Sequence, residues 1–168
     1  MIFITVGGQL PFERMIRYTD DALEQSKATA LNIIAQTNHD KSYSLKNTIV
    51  QYDKIPKEKF DIIFNQADLI ISHAGMGNIL SAIKNNKKSI FIPRKSKLGE
   101  HRTDHQIDTS QALSKKYPFL NFAYEYNDFY ETFIKIISEP PPDIKEEYEI
   151  ICKNKEELNS FINDFVSK

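Results

Sequence analysis

A chain of 168 residues with 40% hydrophobic and 27% charged side chains has the length of one globular core and too little for two full domains. Its net charge of −1 offers no general surface for a polyanion, which argues against nucleic acid, and its single cysteine, Cys152, excludes a disulfide framework and fits a reducing compartment. No apolar run approaches the roughly 18 residues of a membrane span, so a membrane role would need a partner or a surface contact. The first element, IFITV at 2–6, is short and β-branched and reads as a strand; no basic segment precedes it as in a signal peptide. A turn-rich loop, GGQLP, follows, and then Phe12, Met15, Ile16, Thr19 and Leu23 fall on one face of a helix. LNIIAQ at 31–36 and TIVQY at 48–52 are the second and third strands. The helix at 57–67 carries Phe60, Ile63, Phe64 and Ala67 on one side.

LIIS at 69–72 is apolar throughout, the pattern of a strand covered on both faces. A helix runs from Met76 to Asn86, where the pair Asn85 and Asn86 suits a left-handed cap. SIFIP at 89–93 is a buried strand closed by proline; a polar loop follows, then a helix to about Lys116. NFAYE at 121–125 is the last strand, and 128–137 is another helix. Strands and helices in alternation predict a Rossmann-like parallel α/β sheet with helices on both faces. One domain over 1–139 is expected. The stretch 140–168 then holds a proline connector, EPPPD, and a helical stripe of Leu158, Phe161, Ile162 and Phe165. That stripe either packs back on the domain or docks on a partner.

Ligands of parallel sheets gather at the carboxyl ends of the strands, so the loops at 7–11, 73–77 and 94–106 are brought together. In SHAGMGN, Gly75 and Gly77 sit where a strand meets a helix; Gly7 and Gly8 hold the matching place after the first strand. Either pair makes a plain tight turn or a phosphate cradle, in which N–H groups near Gly75 to Asn78 and the helix dipole meet an anion. Asn78 is a side-chain donor to that anion or a cap. His73, at the strand end, is a structural hydrogen-bonding residue or a ligand contact. The cluster GEHRTDHQ at 99–106 has three readings: a metal site on His101 and His105 with Glu100 and Asp104, a solvated loop, or a sugar-binding loop. The metal reading lacks a third ligand elsewhere and the HExxH order. Asp104, His105 and Gln106 supply the mixed donors and acceptors that sugar hydroxyls need.

Taken together, ITVGGQLPFERMI, ADLIISHAGMGNILSAI and IPRKSKLGEHRTDHQ resemble, from residue 2 to about 116, the C-terminal, donor-binding half of family 28 glycosyltransferases. The resemblance is to the split members, the Alg13-like subunits and their bacterial exopolysaccharide and capsule counterparts of the PssE and EpsF type. It implies one half of a two-domain GT-B enzyme that uses a UDP-sugar, needs no metal or other cofactor, and inverts the anomeric centre. It also implies an Alg14-like membrane-anchored subunit that supplies the lipid-linked saccharide acceptor half and recruits this cytoplasmic chain to the membrane. By position, Gly8 matches the first phosphate loop, and Gly75 with Ala74, Met76 and Gly77 the second. Gln106 matches an amide on the sugar hydroxyls, and His105 and Glu100 share its motif. Many family members carry a ribose-binding glutamate where this chain has Ser81. As local candidates for a general base the sequence offers His73 and Glu100. A second reading is a non-catalytic stimulatory subunit of the same kind of pair, and an isolated half exposing its cleft face is a candidate for self-association.

Overall fold

The computed structural model of the chain describes residues 1–28, 31–38 and 50–138. The expected connector and C-terminal helix at 140–168 lie outside the described residues, as do 48 and 49 of the expected third strand.

β1 (Ile2–Thr5) leads into α1 (Glu13–Ser26) and then β2 (Ile33–Gln36). β3 (Val50–Tyr52), α2 (Lys57–Gln66), β4 (Leu69–His73) and α3 (Met76–Lys84) follow. β5 (Lys88–Ile92), a 3-10 turn at Ser96–Leu98, α4 (His105–Lys116), β6 (Asn121–Phe122) and α5 (Tyr126–Ser138) complete the order. All five strand pairings are parallel, in the order β3-β2-β1-β4-β5-β6. This is a Rossmann-like α/β sheet, and the strand order reverses between β1 and β4, where such sheets bind ligands.

The pleat sorts the core into two layers. Ile2 and Ile4 of β1 face α1 and α5, among Met15, Ile16, Phe129 and Phe133. Phe3, between them, faces the opposite layer of Phe64, Ile79, Phe91 and Leu113. The apolar stripe read for α1 is buried at all five positions, and Ile63, Phe64 and Ala67 are buried at α2.

α3 ends as its asparagines suggest. Asn86 is left-handed (φ 49°), the Asn86 N–H donates to the Ile83 carbonyl at 3.1 Å, and the Lys87 N–H reaches the Ala82 carbonyl at 2.9 Å. That pairing closes the helix in a Schellman motif. The last strand is much shorter than the expected 121–125, and α5 starts two residues earlier than expected. The cause is Asp128, whose Oδ2 accepts from the Tyr124 and Glu125 N–H groups at 3.3 and 3.2 Å. A third-position acid that takes the cap N–H stabilises a helix start and withdraws those groups from the sheet.

Replacing Phe91, fully buried in β5, by alanine should lower stability by about 3–5 kcal/mol. Ile62→Ala on the exposed side of α2 should stay within about 0.5 kcal/mol. Urea denaturation of both variants checks the pair.

Candidate nucleotide-binding site

Polar side chains at the carboxyl ends of β1 and β2 shape the first loop from below. The Thr5 hydroxyl donates to Gln36 Oε1 at 3.2 Å and accepts from the Gly7 N–H at 3.2 Å. Gln36 Nε2 returns to the Gly7 carbonyl at 3.4 Å. Gly7 takes φ 88°, a left-handed conformation that a side chain resists.

The second demand on Gly7 is steric, and Gly75 shares it. A Cβ added at either position would lie well under 3.0 Å from the His73 imidazole. The ring is therefore wedged between the loop after β1 and the turn before α3. The glycines under constraint are Gly7 and Gly75, whereas a Cβ at Gly8 or Gly77 meets open space.

Gly75 is the N-cap of α3. Its N–H donates to the His73 carbonyl at 2.8 Å, and its carbonyl accepts from Asn78 and Ile79 at 3.0 and 3.1 Å. The N–H groups of Met76 and Gly77, the first two of the helix, have no intrahelical acceptor and are left for a ligand or water. Asn78 does not cap the helix and is already engaged: its Nδ2 donates to the Ser72 hydroxyl at 2.6 Å, which donates to the His73 carbonyl at 3.0 Å. Ala74 is buried, its N–H on the Ile92 carbonyl at 3.0 Å. Ser81 sits further along α3, where its carbonyl accepts from Asn85.

At the third loop, Arg94 is 3% exposed and its guanidinium donates to four backbone carbonyls: Val6 (2.9 Å), Leu10 (2.7 Å), Pro11 (2.7 Å) and Glu100 (3.2 Å). Phe12 stacks against it, ring centroid 4.4 Å from Cζ. Burial pulls its pKa down to about 10, with Arg14 adding to the effect and Glu100 opposing it, so it stays charged at neutral pH. The Arg94 N–H donates to Gln106 Oε1 at 3.1 Å. Gln106 is buried, and with Oε1 so committed its Nε2 is the group left for a ligand.

Glu100 is a clamp. Its carboxylate takes Arg14 Nε and Nη2 at 2.7 and 2.8 Å and the Lys95 N–H at 2.8 Å. Both oxygens are occupied, so the structure gives this candidate base a structural task. Asp104 likewise folds its own loop: its two oxygens accept from the Ser96 N–H and hydroxyl, each at 2.7 Å, and the bonds hold its carboxyl below the usual range. His105 is exposed, with Nδ1 2.5 Å from the Thr103 hydroxyl and its ring edge-on to His101 at 4.5 Å. Among the described residues no group of three or more His, Cys, Asp or Glu is placed to hold a metal ion. With Glu100 and Asp104 engaged elsewhere, the two histidines lack the carboxylates that the metal reading needs.

These loops enclose a cleft of about 240 Å³. Of the residues singled out in the sequence, Gly7, Gly8, His73, His101 and Gln106 line it, and Arg94 joins them. Gly75 packs against the His73 ring, and Met76 and Gly77 begin α3; none of the three is among the lining. Ala74, Asn78, Ser81, Glu100, Asp104 and His105 are not among the lining. Arg94 and Arg14 were missed by sequence reasoning, although each carries a faint signal. Arg14 stands one turn before Tyr18 on the side of the helix away from the apolar stripe, and Arg94 directly follows the proline that ends a buried strand.

His73 registers the positive field of the cleft. Burial, then Arg94, and to a lesser degree His101 push its pKa down to about 4, against a hydrogen bond to the Thr5 backbone that pulls it up. The ring is neutral at pH 7 and a weak proton acceptor, far from the near-neutral pKa that suits a general base.

Two predictions follow from the wedge. Gly75→Ala should cost about 1–3 kcal/mol by overpacking, and most of that cost should vanish in a His73→Ala background, read by urea denaturation of the four-member cycle. Between pH 6.5 and about 4 the unfolded chain binds the His73 proton that the folded chain refuses. The His73 contribution is thus whole above pH 6.5 and lost as pH falls toward 4, up to roughly 3 kcal/mol. His73→Gln should flatten that limb of the stability–pH curve; an unchanged slope would count against the buried, neutral ring.

The model of the glycosyltransferase family 28 C-terminal domain matches residues 1–139. A curated relative, the UDP-N-acetylglucosamine transferase subunit ALG13 of Yarrowia lipolytica (strain CLIB 122 / E 150), is 27% identical over 128 residues, 69% of this chain and 61% of the relative. The chain thus spans less than two thirds of that relative's length. Among solved structures, an NMR solution structure of ALG13 superposes with a TM-score of 0.56 at 19% identity, over 82% of this chain and 85% of that one. The glycosyltransferase VinC in complex with dTDP gives a TM-score of 0.58 at 13% identity, over 99% of this chain and 40% of that one. These likenesses in structure agree with the Rossmann-like sheet. The family match extends over most of the sequence, and the chain belongs to the glycosyltransferase family 28 C-terminal domains.

Proposed function

We propose that this chain is the donor-binding subunit of a two-component inverting glycosyltransferase that takes a UDP-sugar and works with an Alg14-like membrane-anchored subunit. The observation that carries the reading is the cleft at the β1/β4 switch point, where a buried guanidinium with no side-chain carboxylate on it lies beside a glycine loop. Such a cleft suits a diphosphate: Arg94 supplies positive potential, and the free N–H groups of Met76 and Gly77 and the dipole of α3 add to it. Gln106 Nε2 is the donor for a sugar hydroxyl, with His101 at the rim. The name of the Yarrowia relative, a UDP-N-acetylglucosamine transferase subunit, supports a UDP-sugar and N-acetylglucosamine as the first sugar to try. The dTDP bound to VinC supports a nucleoside diphosphate as the ligand class.

In this mechanism an acceptor hydroxyl displaces UDP directly at the anomeric carbon. The negative charge that grows on the departing diphosphate is stabilised by dipoles already in place. Neither of the two base candidates offered by the sequence is suited to take the acceptor proton, since Glu100 is clamped and His73 is a weak acceptor. The base is therefore assigned to the partner, which also brings the lipid-linked saccharide of a surface-polysaccharide pathway. Among the described residues no helix is long and apolar enough to cross a membrane, and the partner supplies the anchor. A second reading, a stimulatory subunit that stabilises a catalytic partner, is favoured by one feature, Ser81 where many family members carry a ribose-binding glutamate.

Titration calorimetry of UDP, UDP-N-acetylglucosamine and UDP-glucose, with and without the partner, tests the proposal. The expected result is that UDP binds, one UDP-sugar binds better, and Gln106→Ala removes that preference, a change of about 0.5–1.5 kcal/mol for one hydrogen bond. Silence toward every nucleotide in both settings would overturn the donor-site reading and leave the stimulatory one.

A further inference from the structure

The loop between β1 and α1 has little packing of its own. Gly8, Gln9 and Pro11 are exposed, and Leu10 is 42% exposed. Thr5 and Gln36 hold it at Gly7, and Arg94 grips it on either side of that point. Three of the four carbonyls on this guanidinium, those of Val6, Leu10 and Pro11, belong to this stretch, and the fourth, Glu100, belongs to the loop across the cleft. The far side is itself anchored, since Glu100 is clamped by Arg14 and the Arg94 N–H by Gln106. A planar fork can serve acceptors on two sides at once, whereas a lysine offers a point charge on a flexible stem. Phe12, the N-cap residue of α1, supports the fork from beneath.

We propose that Arg94 is the positioning residue of this site: by gripping Val6, Leu10, Pro11 and Glu100 it holds the first loop in its binding shape before any ligand arrives and fixes a positive charge under the cleft. The consequence for donor affinity rests on the function proposed above, while the pinning of the loop stands apart from it.

The test compares wild type, Arg94→Met and Arg94→Lys, each confirmed folded by circular dichroism, using ¹⁵N relaxation, a His73 NMR titration and UDP calorimetry. In the wild type, Gly8–Leu10 should show order parameters near the rigid value of about 0.85, falling below about 0.6 in Arg94→Met. The charged and titrating groups acting on His73 are Arg94 and His101, so loss of Arg94 should raise the His73 midpoint from about 4. UDP binding should weaken at least tenfold in Arg94→Met, with partial rescue in Arg94→Lys. Arg94→Lys should loosen the loop while leaving the His73 midpoint low, and it carries the test alone if Arg94→Met does not fold. A loop as rigid in Arg94→Lys as in the wild type, or an unmoved His73 in a folded Arg94→Met, overturns the proposal. Loosened loops and a shifted His73 in a chain whose wild type binds no UDP would uphold the pinning and remove the donor-site reading.

Discussion

The carboxyl edge of the sheet is organised by one buried cation satisfied by main-chain oxygens. Removing a guanidinium from water costs several kcal/mol unless its donors find partners, and Arg94 finds them only if two loops converge on it. Convergence is thus enforced by the desolvation of the charge as much as by the bonds themselves. The Arg14–Glu100 pair extends the same logic. Both side chains are largely buried, at 7% and 12% exposure, and their bidentate contact fixes the backbone stretch whose carbonyl Arg94 grips. A carboxylate that looks available for chemistry in the sequence is thereby turned into part of the frame.

The second constraint is the space taken by one imidazole. His73 closes β4 between two glycines from distant parts of the chain, so the first and second loops are set by the thickness of a ring rather than by their own hydrogen bonds alone. Because the ring is neutral, it adds nothing to the charge of the cleft, and the positive potential there traces to Arg94 and to backbone dipoles. Fixed dipoles that need no rearrangement are the features a departing diphosphate requires, and neither the neutral His73 nor the clamped Glu100 is poised to move a proton.

Much of this architecture was legible in the order of residues. Short β-branched runs, apolar helical stripes and the asparagine pair at the end of α3 reflect local preferences that tertiary packing did not override. The end of the last strand was not legible, because Asp128 recruits the Tyr124 and Glu125 N–H groups into a helix start, a contest between two partners that periodicity cannot decide. At the site, the glycine loops and Gln106 could be singled out from position, yet Asn78, Glu100 and Asp104 have protein partners at short range. A polar residue in a loop has the same appearance in sequence whether it binds a ligand or folds the loop that does. Arg94 escaped for the converse reason: its partners are backbone carbonyls, which leave no mark in composition or spacing.

The sheet also tapers. Among the described residues, β4 and β5, at five residues each, lie inside it, while the flanking strands β3 and β6 have three and two. A strand of two residues such as β6 presents too few N–H and C=O groups to template a neighbouring chain, so the β6 margin of the described sheet is poor ground for β-augmentation or for the edge-to-edge stacking that begins aggregation. Association through sheet extension at that margin is therefore disfavoured by strand length alone, which leaves the helical faces and the loops above the strands as surfaces for contact.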